Sequence, residues 1–312
     1  MVLLLALAFA DEHASANVAG MGGSSVADPT DLTAIRTNPA AVGLTERYDI
    51  QALFGVSNGR DLRWGIAAGD SRTNDRVSFG LAYMGGLTRP PFLPEELPPF
   101  AVTGEEPENK KQRHDIELSL SVPLLDRRLA FGLGGNLLIY NQTWNGKGVT
   151  GNLAAGVAAR PIDELSLGIG FRDLLPIAEQ PDRPATMNVG ARGGVEDIVV
   201  ASGELGYRLE KGEGSPLTGR LGVQGTIDFV QARAGWTWDG PLQTHLVTWG
   251  IGASADAGSI DYAMQIPVNQ PGLRFADLIH TLTITLRTNA FKRESSEEEP
   301  GDGAPMQWPG GR

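Results

Sequence analysis

The stretch His280-Thr281-Leu282-Thr283-Ile284-Thr285-Leu286 decides the fold, because apolar and polar residues alternate along it. Successive side chains of a β-strand point to opposite faces, so Leu282, Ile284 and Leu286 share one face and the threonines share the other. Only one face of this strand is therefore expected to contact water. The same alternation recurs from Tyr48 onward, which predicts one large closed sheet whose last strand pairs with the first.

Composition limits the classes to which the chain can belong. Its 312 residues suffice for one large domain or two ordinary ones. A net charge of −11 argues against nucleic acid as a partner, because binding phosphates requires a basic surface. The absence of Cys excludes disulfides and thiolate chemistry. After the first ten residues no apolar run approaches the roughly 20 residues of a membrane-spanning helix, so a bilayer would be crossed by strands.

The N-terminal 45 residues differ from the rest of the chain. Residues 1–16 resemble a secretory signal peptide, with an apolar run from Met1 to Ala10 and Ala14-Ser15-Ala16 as the expected cleavage site. The basic start of such a signal is missing, which indicates a mis-called start codon; the alternative is a buried N-terminal helix. Residues 17–45 are rich in Gly and predict a small compact segment with a short helix over 31–36, which ends before Pro39.

Fourteen candidate strands follow, and most of them show one apolar face. With the first strand running outward, every connection at the inner end of the sheet is short and every long connection falls at the outer end, as in membrane barrels. The chain is therefore predicted to be all-β, a 14-stranded antiparallel transmembrane β-barrel over residues 46–291. The alternative fold is a soluble two-sheet sandwich. The strands are expected at 48–56, 62–71, 77–88, 114–124, 129–144, 147–160, 165–173, 185–193, 198–209, 217–228, 230–238, 244–255, 259–267 and 280–288.

Aromatic residues and loops agree with a barrel in contact with membrane lipids. Trp64, Trp144, Trp236 and Trp238 fall near predicted outer strand ends, where aromatic rings favour the headgroup level; in a sandwich they would be core residues. Tyr48 and Tyr262 are the candidates for an inner girdle. The proline-rich outer loop 89–113 is long enough to cover the barrel mouth, and the acidic tail 292–312 is expected to be disordered.

The polar faces of the strands carry charges that would face the barrel lumen. We expect most of the arginines to pair with the carboxylates, because charges facing a filled interior need partners. The alternative is that some arginines bind a substrate carboxylate. The arginines are Arg63, Arg172, Arg192, Arg208, Arg220 and Arg233, and the carboxylates are Asp115, Glu117, Glu204, Asp228 and Asp261.

No pattern in the sequence indicates an enzyme. His114, His245 and His280 lie outside any recognisable nucleophile motif. The glycines at 132–135 lie within an alternating strand and not between a strand and a helix, so they do not form a dinucleotide loop. No His or carboxylate cluster has metal-ligand spacing, and no metal or cofactor is predicted.

The run from Gly20 to Val42, Gly-Met-Gly-Gly-Ser-Ser-Val-Ala-Asp-Pro-Thr-Asp-Leu-Thr-Ala-Ile-Arg-Thr-Asn-Pro-Ala-Ala-Val, resembles the plug of the FadL-type outer-membrane transporters. These proteins carry fatty acids and other hydrophobic compounds, and the PorV-like barrels of secretion systems are related to them. The resemblance implies that residues 17–45 form a plug, with Asn38, Pro39 and Ala40 inside the lumen. Residue-level likeness is otherwise confined to phrases such as 165–174, and the chain is shorter than typical fatty-acid transporters.

The resemblance also implies a location and a function. The protein is expected in the bacterial outer membrane, where it would admit or transport small hydrophobic molecules that escape sideways through the wall at a kinked strand. Gly85 and Gly86 are the candidates for that kink, with a plain bulge as the alternative. The second functional hypothesis is a PorV-like scaffold that binds protein partners, and the third is a porin, which a plug disfavours.

Overall fold

In the computed structural model the strands form one closed antiparallel barrel in sequential order, with β1 paired to β14. The structure describes residues 14–57, 61–88, 111–142, 146–175, 184–195, 198–209, 215–240, 243–268 and 278–288. Closure by the first and last strands confirms the predicted fold class, so the sandwich alternative is wrong. The strands are β1 Tyr48–Ser57, β2 Asp61–Asp70, β3 Ser78–Thr88, β4 Lys111–Leu124, β5 Leu129–Gln142, β6 Gly146–Ile162, β7 Leu165–Leu174, β8 Thr186–Val195, β9 Val199–Arg208, β10 Leu217–Ile227, β11 Val230–Asp239, β12 Thr244–Ala255, β13 Gly258–Pro267 and β14 Ile279–Arg287.

The outer face of the barrel is apolar, and β14 illustrates how the residues are distributed between the two faces. Its threonines Thr281, Thr283 and Thr285 are buried in the lumen, whereas Leu282, Ile284 and Leu286 are 41 to 55% exposed. Large apolar residues are exposed in the same way on the outer faces of the other strands. A soluble protein would bury this apolar face, so its exposure fits a wall that faces hydrocarbon. No helix among the described residues is long and apolar enough to cross a membrane.

All fourteen predicted strands are present, with ends that differ from the prediction by three residues at most. We call the end of the barrel at which β1 begins the inner end and the opposite end the outer end. The strands are joined at the inner end by short turns, such as 125–128 and 163–164, which confirms the predicted sorting of loops. Residues 89–110 of the predicted proline-rich loop, most of the outer loop 268–279, and the tail lie outside the described residues. The end of the predicted loop is wrong, because residues 111–113 already belong to β4.

The predicted compact segment lies inside the barrel and holds three short helical turns. They are α1 Ala16–Gly20, α2 Ala34–Thr37 and a 3₁₀-helix Pro39–Gly43. Helix α2 begins later than predicted, because the Asp31 carboxylate accepts a hydrogen bond from the Thr33 backbone N–H at 2.8 Å and holds residues 31–33 in a turn. It ends at Asn38, before Pro39, as the sequence predicts.

The predicted aromatic girdles are present in part. Trp64, Trp236 and Trp238 lie near the outer ends of their strands, and Tyr48 lies at the inner end. The assignment of Tyr262 to the inner girdle is wrong: its hydroxyl is 2.7 Å from Nδ1 of His280, which lies near the outer end of β14. Trp144 lies outside the described residues.

Candidate functional site: the plugged lumen

The plug, residues 14–45, docks directly on the backbone of the barrel wall. It can approach so closely because glycines occupy the wall positions beneath it, and a side chain there would overlap the plug. We call these positions the glycine seats. A Cβ atom added at Gly132 would lie 2.2 Å from the Ala40 nitrogen, and one added at Gly168 would lie 2.1 Å from the Val26 oxygen. A Cβ atom added at Gly222 would lie 2.4 Å from the Met21 oxygen, and one added at Gly235 would lie 2.2 Å from the Gly22 nitrogen.

Asn38, Pro39 and Ala40 lie inside the barrel, and Asn38 and Ala40 are fully buried. The Asn38 amide group donates to the backbone oxygens of Val26, at 2.7 Å, and Val157, at 3.2 Å. Its side-chain oxygen accepts from the Ala40 N–H at 3.2 Å, while Pro39 opens the 3₁₀-helix. Asn38 thus ties two parts of the plug to strand β6, which explains why an amide, able to donate and accept, occupies this site.

Charged side chains join the plug to the wall at three places. The Glu204 carboxylate accepts the backbone N–H groups of Ser25 and Val26, at 2.8 and 3.0 Å, and also pairs with Arg220. Arg192 lies 3.5 Å from Asp28 of the plug. Arg36 of the plug lies 3.5 Å from Glu117. The sequence indicated the wall charges but not Asp28 or Arg36, because only the docked plug brings them opposite a wall residue.

Two further ion pairs lie within the wall itself. Arg233 and Asp261 are 2.8 Å apart, and Arg113 and Asp115 are 3.8 Å apart. Of the expected lumen pairs, Arg220–Glu204 and Arg233–Asp261 are present. Asp115 and Glu117 lie instead beside Arg113 and Arg36, and Arg192 lies beside Asp28, none of which was predicted as a partner. Asp228 is exposed in the inner turn between β10 and β11, so its assignment to the lumen is wrong. Near the outer strand ends the lumen also holds the half-buried arginines Arg63, Arg172 and Arg208.

The inner end of the plug is held by the turn between β4 and β5. Its residues Leu125, Asp126 and Arg127 all have left-handed φ angles, of 51°, 53° and 63°, which side chains other than glycine adopt at a cost. This turn directs Arg127 under the plug, where its guanidinium donates to the Gly43 oxygen at 3.1 Å and lies 3.6 Å from Glu46. No Gly or Asn marks the turn, so sequence reasoning did not find this residue.

The wall is hydrogen-bonded without interruption at Gly85 and Gly86, the predicted kink. Both glycines pair in register with β2 on one side and β4 on the other. Gly85 makes room for the ring of Trp64, since a Cβ atom would lie 2.3 Å from its Cε2 atom. The structure therefore has no opening at this point of β3.

The register breaks instead between β6 and β7. Leu153 pairs with Leu174, but Ala155 pairs with Phe171, so β7 holds one extra residue in a bulge. Asp173, in that bulge, has a φ of 53° and accepts a hydrogen bond from the Asn152 amide at 3.2 Å.

A cavity of about 20 Å³ lies beside this bulge, with room for about one water molecule. The residues that line it include the lumen residues Arg36, Glu117, Asn152 and Asp173. They also include Leu118 and Leu153, whose side chains are about half exposed on the outer face. We call this place the β6–β7 junction. Among the described residues no group of His and carboxylates is arranged to hold a metal ion.

A closed barrel of fourteen strands with an N-terminal plug in its lumen is the fold of the FadL-type outer-membrane channels, which confirms the fold expected from the resemblance. The solved CymD monoaromatic hydrocarbon channel matches with a TM-score of 0.62 at 9% identity, over 92% of this chain and 99% of that chain. The Ralstonia pickettii toluene transporter TbuX matches with a TM-score of 0.62 at 12% identity, over 88% and 98%. The Pseudomonas putida toluene transporter TodX matches at 0.59 and 12%, over 87% and 96%. No family model and no curated protein matches the sequence.

Proposed function

We propose that the protein is a bacterial outer-membrane channel that admits small hydrophobic molecules and is not an enzyme. The observation that carries the proposal is a plugged barrel with an apolar outer face, the architecture that the hydrocarbon and toluene channels share over almost their whole length. A plugged lumen argues against a porin, whose conduction requires an open aqueous path. The low identity to these channels leaves the choice among hydrophobic molecules to experiment.

The route that we propose leaves the lumen through the wall. The glycine seats bring the plug into contact with β5, β7, β10 and β11, so the plug leaves little room for passage along the barrel axis. The β6–β7 junction is where the pairing of the two strands loses register and where the lining of a cavity includes both lumen residues and residues whose side chains are on the apolar outer face. Separation of Asn152 from Asp173 would widen this place, and a hydrophobic molecule would then enter the bilayer past Leu118 and Leu153.

Engineered disulfides test this route, because the chain has no cysteine of its own. The pair Leu153→Cys with Leu174→Cys would close the β6–β7 junction, because these residues face each other across β6 and β7 next to the bulge. The control pair, Leu87→Cys with Gln112→Cys, joins residues that face each other across β3 and β4 beside Gly86. We expect oxidation of the first pair alone to reduce uptake of radiolabelled toluene by intact cells, and a reductant to restore it.

Two outcomes would contradict the proposal in different ways. Uptake that is blocked by the control pair, and not by the first, would move the route to the β3–β4 seam. If cells that produce the protein take up toluene and a fatty acid no faster than cells without it, the channel function itself is refuted.

The second candidate function is a PorV-like scaffold for protein partners, and one observation favours it. The cavity at the β6–β7 junction is small and its lining includes charged and amide groups, whereas binding of a hydrophobic molecule needs a mostly apolar pocket. A stable complex with a periplasmic or secreted protein, recovered from detergent extracts of cells that show no added uptake, would establish the scaffold and reject the channel.

A further inference from the structure

The small-residue triplet Ala14-Ser15-Ala16, expected above as the end of the signal peptide, belongs to the folded plug. Ser15 and Ala16 are fully buried. The Ser15 N–H donates to the Thr33 hydroxyl at 3.2 Å, and the Ser15 hydroxyl donates to the Asp31 carboxylate at 2.6 Å. The same hydroxyl accepts from the Val18 N–H at 3.2 Å and so caps helix α1.

Ala16 is also part of this arrangement. Its N–H donates to the Thr283 hydroxyl of β14 at 2.8 Å, and its methyl group packs in a buried cluster with Ala19 and Ala263. Cleavage after Ala16 would remove every one of these contacts. It would also leave a charged ammonium on Asn17 in the first turn of a helix, where the helix dipole disfavours a positive charge.

We propose that the signal peptide is cleaved between Ala10 and Asp11, so that the mature chain keeps Ser15 and Ala16. Ala8-Phe9-Ala10 has small residues at the first and third positions before the cut, and it ends the apolar run that begins at Met1. Hydrolysis adds one water across the Ala10–Asp11 peptide bond, which leaves a carboxylate on Ala10 and an ammonium on Asp11. Four residues of the mature chain, 11–14, then precede the helix cap at Ser15, so the new charge is four residues away from the cap in the sequence.

The mature N-terminus is measured directly, by N-terminal sequencing and intact mass of protein isolated from the outer membrane of its own cells. We expect Asp11 as the first residue. A chain that begins at Asn17, at any other residue, or at an uncleaved Met1 would overturn the assignment.

A matched pair of variants tests the same point without reference to folding, because cleavage is read from pulse-labelled precursor during export. Ala10→Tyr places a large side chain beside the proposed cut, and Ala16→Tyr places one beside the alternative cut. We expect the ratio of precursor to mature chain to rise at least tenfold for Ala10→Tyr and to stay at the wild-type value for Ala16→Tyr. The reverse result, or normal processing of both variants, would overturn the proposal.

Discussion

Replacement of Glu204 by Gln should loosen the plug while leaving the barrel closed. The native carboxylate binds the Ser25 and Val26 N–H groups with one oxygen and Arg220 with the other, and its side chain is 1% exposed. Glutamine has nearly the same shape but carries only one acceptor oxygen. Its amide group must therefore point its donors either at the two plug N–H groups or at the guanidinium.

The size of the effect follows from these contacts. The plug donates two hydrogen bonds to this charged carboxylate, and hydrogen bonds to a charged group contribute about 1.5–3 kcal/mol each. Because glutamine keeps some of these bonds, we expect a loss of about 3 kcal/mol in the free energy of plug docking. Since about 1.4 kcal/mol corresponds to a factor of ten, the undocked fraction of the plug should rise by about two orders of magnitude.

Thiol labelling measures this fraction in a chain that is otherwise free of cysteine. Ser24→Cys places a nearly isosteric thiol in the plug, one residue before Ser25, at a position that is only 6% exposed. The rate of its reaction with a maleimide in detergent-solubilised protein then reports plug opening. Glu204→Gln should raise that rate about 100-fold, and the control Glu164→Gln, at an exposed inner turn, should leave it unchanged. An unchanged rate in Glu204→Gln would refute the view that this carboxylate anchors the plug.

Three further changes probe other parts of the plug's seating. Gly132→Ala should lower the free energy of unfolding in urea by about 1–3 kcal/mol, because the new methyl group overlaps Ala40. Gly225→Ala, whose new methyl group meets no atom within 4 Å, should change this free energy little. Equal effects of the two substitutions would contradict the role proposed for the glycine seats. Arg127→Ala should lower the free energy of unfolding by about 1–3 kcal/mol through loss of its hydrogen bond to Gly43. Substitution of the exposed Arg128 by Ala should lower it by less than about 0.5 kcal/mol. A loss for Arg127→Ala no larger than that for Arg128→Ala would show that the inner turn does not hold the plug. Ser15→Ala should lower the free energy of unfolding by about 2–4 kcal/mol through loss of the helix cap and of the hydrogen bond to the Asp31 carboxylate, and a value near zero would contradict the role of this hydroxyl.

The barrel could be predicted because the alternation of polar and apolar residues along a strand is a local property of the sequence. Thr283 and Ile284 differ in polarity, and in the structure one contacts the plug while the other faces outward. A shift of one residue in register would exchange these faces, so the alternation also fixes the pairing. The sorting of short and long connections then set the direction of every strand.

The contacts of the plug could not be predicted in the same way, because they join residues that are distant in sequence. Asp28 and Arg36 look like ordinary charges of a short segment until Arg192 and Glu117 are placed opposite them. The glycines misled in one case: Gly85 suggested a weak strand, but it makes room for the Trp64 ring on the outer face. A glycine in a sequence does not reveal which neighbour occupies the space it leaves.

The seam between β1 and β14 has a consequence for biogenesis. It joins segments near opposite ends of the chain, Tyr48–Ser57 and Ile279–Arg287, so the cylinder cannot shut until the last strand has been made. The plug is synthesised first and ends inside a ring of contacts that includes Thr283 of that final strand. The contact between the Ala16 N–H of the plug and Thr283 can therefore form only after the last strand has been made, so the seating of the plug depends on the strand that closes the barrel.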